Sequence, residues 1–192
     1  MPVKTGSAGK IRIIAGSLRG RRIDFLPAGA TRPTGSLVRG ALFNILGGLV
    51  PGSDILDLYA GTGALGLEAV SRGARAATLV ESDRQAADAI GKNIESLGLQ
   101  QACRLVRGDA MEYLGRCRDK FDIITADPPY SQDASSRLLE AIAAGKILKP
   151  GGVFAYQHSP SVAAAGPPAP LAVWKSRRHG RTQVTFYRND QE

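Results

Sequence analysis

Ile55-Leu56-Asp57-Leu58-Tyr59-Ala60-Gly61-Thr62-Gly63-Ala64-Leu65-Gly66 is the stretch whose chemistry settles the architecture. Its first five residues are an apolar run of strand type, and its last six match G-x-G-x-x-G, the spacing of a loop between a strand and a helix. Helical spacing follows over Ala64–Arg72, and a second strand, Ala76–Glu81, ends on an acid twenty residues beyond Gly61. An acid there suits the ribose hydroxyls of an adenosine-containing cofactor. NAD and S-adenosylmethionine both qualify. A dinucleotide brings a pyrophosphate to the loop, where Asp57 opposes it with like charge. S-adenosylmethionine carries an ammonium and a sulfonium but no phosphate, and for it the same acid is favourable. Asp57 therefore points to the methyl donor.

The alternation of strands and helices continues downstream, as in a parallel α/β sheet. A helix over Arg84–Leu97 is closed by Gly98, and Arg104-Leu105-Val106 makes a third strand. Asp109 opens a short helix through Leu114. It is placed either to accept from an adenine amino group or simply to cap that helix. Phe121–Ala126 is a fourth strand, followed by a helix over Ala134–Ala144, Gly151-Gly152 and a fifth strand, Val153–Gln157. Ser159–Pro170, rich in alanine, proline and glycine, reads as a loop. Ala172–Arg177 and Gln183–Tyr187 around His179-Gly180 read as an antiparallel hairpin. Upstream, Arg12–Ala15 and Arg22–Phe25 flank a basic Gly16–Gly20 turn as another hairpin. Thr34–Leu46 has helical spacing, with Leu37, Ala41, Leu42 and Ile45 on one face.

Asp127-Pro128-Pro129-Tyr130 stands at the carboxyl end of the fourth strand. Two prolines remove backbone donors and stiffen the chain, leaving carbonyl acceptors facing outward. With the Asp127 carboxylate and the Tyr130 ring, the stretch suits a planar base that donates from an exocyclic amino group while it stacks.

The net charge of +8 is concentrated at the ends. Residues 1–40 hold eight bases against the single acid Asp24, and Lys175, Arg177, Arg178 and Arg181 form a second basic knot. Basic ends on a nearly neutral body point to a polyanionic partner, most simply nucleic acid. No apolar run is long enough to span a bilayer, and no signal-peptide h-region is present, which predicts a cytoplasmic protein. Cys103 and Cys117 are too few and too unpatterned for a disulfide framework or a zinc site. His158 and His179 read as polar residues at a strand end or turn, not as catalysts.

Arg12-Ile13-Ile14-Ala15-Gly16, Arg19-Gly20-Arg21, Arg32-Pro33-Thr34, Val38-Arg39 and Leu42-Phe43-Asn44 together resemble the amino-terminal signature of the RsmD methyltransferases. The resemblance continues through Asp57–Gly66, Gly66-Leu67-Glu68-Ala69, Ser71-Arg72-Gly73, Glu81-Ser82-Asp83-Arg84, Lys92-Asn93 and Asp127–Tyr130, and covers residues 10–158. It implies methylation of the exocyclic amino group of one guanine in small-subunit ribosomal RNA, with S-adenosylmethionine as donor and S-adenosylhomocysteine as product. It further implies an assembling 30S subunit as substrate and a monomeric enzyme. The family pattern carries acids after Arg32-Pro33-Thr34 and after Val38-Arg39, where this chain has Gly35-Ser36 and Gly40. Tyr130 stands where some relatives have phenylalanine, and it keeps the stacking face.

The expectation is a class I S-adenosylmethionine-dependent methyltransferase: a Rossmann-like α/β fold with a mostly parallel seven-stranded sheet whose last strand is antiparallel. Residues 1–50 form a basic, RNA-contacting hairpin and helix, and residues 51–192 form the methyltransferase domain. Asp127, Pro128, Pro129 and Tyr130 are the candidate catalytic residues. Asp57, Tyr59, Ala60, Gly61, Thr62, Gly63, Glu81, Asp83, Asp109, Ala110 and Asp127 are the cofactor set, and no metal is needed. Arg12, Arg19, Arg21, Arg22, Arg32 and Arg39 are the candidate RNA contacts. A DNA adenine-N6 methyltransferase, a methyltransferase for a protein glutamine, and a non-catalytic RNA-binding scaffold are the rival readings.

Overall fold

The computed structural model describes residues 9–25, 35–129, 134–162 and 165–191. A short antiparallel pair, β1 (Gly9–Arg12) and β2 (Arg22–Phe25), precedes helix α1 (Ser36–Leu46). The alternating body follows: β3 (Asp54–Leu58), α2 (Ala64–Ser71), β4 (Ala76–Glu81), α3 (Arg84–Leu97), β5 (Cys103–Arg107), α4 (Ala110–Arg116), β6 (Phe121–Ala126), α5 (Ser135–Gly145) and β7 (Leu148–His158). A hairpin of β8 (Leu171–His179) and β9 (Thr182–Asn189) completes it. Seven strands form one sheet in the order β5-β4-β3-β6-β7-β9-β8. The first five are parallel; β9 runs antiparallel to both β7 and β8.

Helix limits follow local chemistry. Asp83 caps α3, its side chain accepting from Ala86 N at 2.8 Å, and Gly98 ends that helix at φ 72°. Asp109 caps α4 by accepting from Met111 N and Glu112 N. The spacing of Ile90, Ile94 and Leu97 puts one apolar face of α3 against Leu79 and Cys103. Gly66 allows α2 to lie close on β4, because a Cβ there would sit 2.9 Å from the Leu79 side chain.

Three expectations need correction. Strand β1 ends at Arg12, not Ala15, because the Ile14 and Ala15 amides donate to the buried Glu68 carboxylate (2.7 and 3.0 Å) instead of to a neighbouring strand. The buried face of α1 is Arg39, Leu42, Phe43 and Leu46, while Leu37 is 84% exposed. Apolarity misassigned that face because its anchor is a charged residue. Arg39, expected to meet RNA, is 1% exposed; it donates to Arg12 O at 2.7 Å and lies 3.6 Å from Glu68. It is an internal strut. Burial lowers its pKa, opposed by the Glu68 charge.

The amino-terminal segment shares the cores of the sheet. Ile13 and Ile23 pack with Leu67, Leu79 and Ile90, and Leu42, Phe43 and Leu46 pack with Ile55, Val153 and Phe186. Its basic loop is fastened low on α2: Ser17 N donates to Ser71 O at 2.7 Å and Leu18 N to Ser71 Oγ at 3.0 Å. Gly16 is required at that contact, since a Cβ would fall 1.7 Å from Ser71 O. Gly73, just past α2, accepts from Gly52 N immediately before β3, which sets this end of α2 at the amino-terminal edge of the sheet. Arg21, donating to Ser96 O near the end of α3, lies at the same edge. No helix among the described residues is long and apolar enough to cross a membrane.

Candidate active site

In an open α/β sheet, ligands bind outside the carboxyl ends of the strands, where neighbouring crossovers diverge. Here that point lies between β3 and β6, since β4 and β6 flank β3. Four acids stand at this edge: Asp57 within β3, Glu81 ending β4, Asp109 after β5 and Asp127 after β6. The structure therefore brings the acidic residues of the predicted site together, although they span seventy residues of sequence.

The loop that leaves β3 is held by two of them. Asp57, 1% exposed, accepts from Gly66 N at 3.0 Å and from the Thr125 hydroxyl at 2.7 Å, tying β3 to α2 and to β6. Glu81 accepts from Gly61 N and from Asp83 N, both at 2.7 Å. Between these clamps Tyr59 takes φ 56°, Gly61 φ 54° and Gly63 φ 74°. A positive φ at tyrosine is costly for an L side chain and marks a backbone held for a purpose. Ala60 is buried beneath the loop, and the Thr62 hydroxyl accepts from Ala64 N at 3.3 Å. The Tyr59 hydroxyl has its pKa raised, first by burial and then by the Asp109 charge, which places the loops after β3 and β5 side by side.

Asp57 has the larger perturbation. Burial raises its pKa to about 7, the Thr125 and Gly66 hydrogen bonds oppose that, and the charges of Asp127 and Glu81 add to it. The charges of Asp127 and Glu81 both reach Asp57, a neighbourhood that favours positive charge. The loop from Asp57 to Gly66 carries no base, so a phosphate finds no counter-charge there. A folded-state pKa above the ordinary value gives stability that is complete below the ordinary value and lost as pH rises through about 7. Asn in place of Asp57 keeps an acceptor oxygen, although it cannot serve Thr125 and Gly66 N as a carboxylate does. We expect Asp57→Asn to gain stability relative to the parent between pH 4 and pH 8, on the order of 4 kcal/mol. Urea unfolding of both proteins across that range checks it; a pH-independent difference contradicts it.

Asp83 and Asp109 are exposed, and their side-chain bonds are those of helix caps. Both bonds to Asp109 use Oδ1. Ala110 is buried under α4. In the reactive stretch Asp127 is half-buried, Pro128 buried and Pro129 exposed; Tyr130 lies outside the described residues, as does Arg32. Arg19, Arg21 and Arg22 are exposed on the amino-terminal pair and its loop, and Arg12 is exposed at the end of β1. Arg19 and Arg21 thus sit by the opposite edge from Asp127. Cys103 is buried at the start of β5, and burial pushes its thiol up to about 12, far from a thiolate nucleophile. His158 is the last residue of β7, stacked on Tyr156 and bonded to Thr185, a structural role.

Gln157 was not a sequence candidate. Thr125 pairs with Ala155, so two residues on, Gln157 in β7 is level with Asp127. It is 1% exposed, yet neither its Nε2 nor its Oε1 has a hydrogen-bond partner among the described residues. An unpaired buried amide costs about 1–3 kcal/mol. That amide stands beside Asp127 with its hydrogen-bonding capacity unused by the described residues. We expect Gln157→Met to raise the melting temperature while slowing the reaction; a lower melting temperature means that the amide is already satisfied in the folded chain. The only sequence hint was a polar residue inside an apolar strand. A separate concavity of about 490 Å³, lined by Gly16, Phe43, Pro51 and Arg72 among others, lies near the opposite edge and holds none of these acids.

The chain matches the family model described as Conserved hypothetical protein 95 over residues 11–188. It is 42% identical over 129 residues to ribosomal RNA small subunit methyltransferase D of Escherichia coli K12, covering 67% of this chain and 64% of that protein. It is 32% identical over 148 residues to the protein of the same name from Haemophilus influenzae, covering 76% of this chain and 77% of the relative. Among solved structures, the Thermus thermophilus 16S rRNA N2 G1207 methyltransferase RsmC, in complex with AdoMet and guanosine, superposes with a TM-score of 0.69 and 26% identity. That match covers 95% of this chain and 50% of the neighbour. A hypothetical protein of Thermus thermophilus superposes with a TM-score of 0.78 and 29% identity, covering 92% of this chain and 98% of that one.

Proposed function

Since this chain belongs to the Conserved hypothetical protein 95 family, together with the small-subunit ribosomal RNA methyltransferases D, we infer that it methylates the exocyclic N2 amino group of a guanine in 16S ribosomal RNA. The observation that carries the reading is the convergence of Asp57, Glu81, Asp109 and Asp127 on a base-free glycine loop at one edge of the sheet. That donor set fits S-adenosylmethionine, which supplies a methyl group activated on a sulfonium.

Each residue then has a role its chemistry allows. Glu81 is placed for the ribose hydroxyls and Asp109 for the adenine amino group. Tyr59, Ala60, Gly61, Thr62 and Gly63 form the main-chain cradle, flanked by Asp83 and Ala110. Asp57 holds that cradle and, as a carboxylate, favours a cation nearby. A cation beside a carboxyl of pKa about 7 favours ionisation, so cofactor binding releases protons near neutral pH and weakens as pH falls below 7. Titration calorimetry in buffers of different ionisation enthalpy checks this. Asp127 and the Pro128 carbonyl accept from the guanine amino group and turn its lone pair toward the methyl carbon, while Tyr130 stacks on the base. Positioning and electrostatics carry the acceleration. No covalent enzyme intermediate and no metal take part.

The residues of segment 1–50 serve as an RNA-contacting extension through Arg12, Arg19, Arg21, Arg22 and Arg32. Because Arg19 and Arg21 lie across the sheet from Asp127, roughly 20 Å away for strands of six residues, a substrate must reach from one edge of the sheet to the other to meet both. An assembling 30S subunit fits that demand. We propose a monomeric cytoplasmic enzyme acting on it. Incubating the protein with labelled methyl donor and, separately, small-subunit RNA, DNA and protein tests the reading. Label confined to RNA, at guanine N2, is expected; label only in DNA or protein refutes it.

A further inference from the structure

The edge that carries Asp127 has its own cationic surface, and it is not in the amino-terminal segment. Ala126 pairs with Tyr156, Tyr156 with Thr185, and Thr185 with Ser176. Strand β8 runs in the same direction as β6, since both neighbours of β9 are antiparallel to it. Arg177 and Arg178, next after Ser176, therefore stand at the level of Asp127 and Pro128, three strand spacings away, or roughly 14 Å. Arg181 follows in the turn to β9. Arg177, Arg178 and Arg181 are all exposed, and none of the three forms an ion pair with a described residue.

The contrast with the far side of the sheet is informative. Arg107 at the end of β5 is paired with Asp88, and Arg104 with Asp119. From Leu171 to Asn189 the chain has five bases and no acid. Two of the tip arginines are also braced by main chain: Arg178 Nε donates to Gly180 O at 3.1 Å and Arg177 Nη1 to Ser176 O at 2.9 Å. Basic residues can guard an edge strand against pairing, but that task spreads them along its length. Here three of the five gather at the end level with the reactive carboxylate.

We propose that the β8–β9 tip, Arg177, Arg178 and Arg181, grips the phosphate backbone of the RNA strand that flanks the target guanine. The proposal rests on the RNA methyltransferase reading and adds a second contact surface to it. A span of roughly 14 Å is that of a few nucleotides, so the tip holds the strand locally. The Arg19 and Arg21 loop, at the opposite edge of the sheet, meets a different part of the substrate.

The test is methyl transfer to small-subunit RNA by the full chain and by R177A/R178A/R181A, at several salt concentrations. The variant is expected to raise KM about 10- to 100-fold at moderate salt with kcat and cofactor Kd within about twofold. Its dependence of log KM on log salt should flatten by about 2 to 3, one phosphate contact per arginine. R177A/R181A, which leaves the Arg178–Gly180 brace intact, should show a smaller change in the same direction. If the wild type modifies RNA and both variants match it in KM and salt slope, the tip has no such role and the reaction stands. If the wild type modifies no RNA, both readings fall.

Discussion

Asp127→Ala should lower kcat for methyl transfer by about 10²- to 10³-fold, the loss typical when one preorganised polar group is removed from a reacting centre. Asp127 follows β6, at the point where the sheet's crossovers diverge, and the buried Pro128 that comes next stiffens its position. The chain offers an amine acceptors at this point, and burial holds the Cys103 thiol, at the start of β5, in its protonated form. Asn at position 127 keeps one acceptor oxygen and should retain more activity than Ala. Cofactor affinity should change much less than kcat. The Asp127 charge does help raise the Asp57 pKa, so its removal should shift the pH profile of cofactor binding toward acid. Single-turnover kinetics and calorimetry separate the two effects. Asp127→Ala activity within about fivefold of the parent would place the chemistry elsewhere.

Glu68→Ala should destabilise the fold by about 3–5 kcal/mol, the cost of breaking a buried charge pair by removing one member. Glu68 is 0% exposed and its two oxygens accept from three donors, Ile14 N, Ala15 N and Arg72 Nε at 2.8 Å, while the Arg39 guanidinium forms an ion pair with it at 3.6 Å. Loss of the carboxylate leaves the Arg39 guanidinium buried without its counter-charge, and the amides of Ile14 and Ala15 without acceptors. Glu68→Gln should cost less, since one acceptor oxygen remains. Joint replacement, Glu68→Leu with Arg39→Met, should recover much of the loss, because the stranded charge is gone. Urea unfolding of the parent, the single variants and the pair gives the coupling energy. A loss under about 1 kcal/mol for Glu68→Ala would mean that the amino-terminal segment is held by its apolar contacts alone.

The two experiments address parts of the molecule that were unequally visible beforehand. Strand β4, helix α3 and strand β6 have the limits that their periodicity and caps indicated, because Asp83, Gly98 and an uninterrupted apolar run act locally. The acids at the strand ends were equally plain, since a glycine loop and parallel crossovers put them at one edge. Arg39 was misread because a charged residue in a helix is ordinarily solvated, and its partner Glu68 lies 29 residues away. Leu37 was misread for the same reason, from the other side of the helix.

Residue order and side-chain chemistry alone were enough for the alternating strands and helices, the glycine loop and the acids at the strand ends, because each is written within one strand–loop–helix unit. Packing made three further assignments. It sent the amino-terminal basic loop to the foot of α2, set Gln157 without a described partner beside Asp127, and carried the arginines of the last hairpin round to the edge that holds Asp127. Those depend on strand order and on contacts between residues far apart in the chain. Strand order arises from how crossovers and hairpins close around a shared core, which no local window of residues contains.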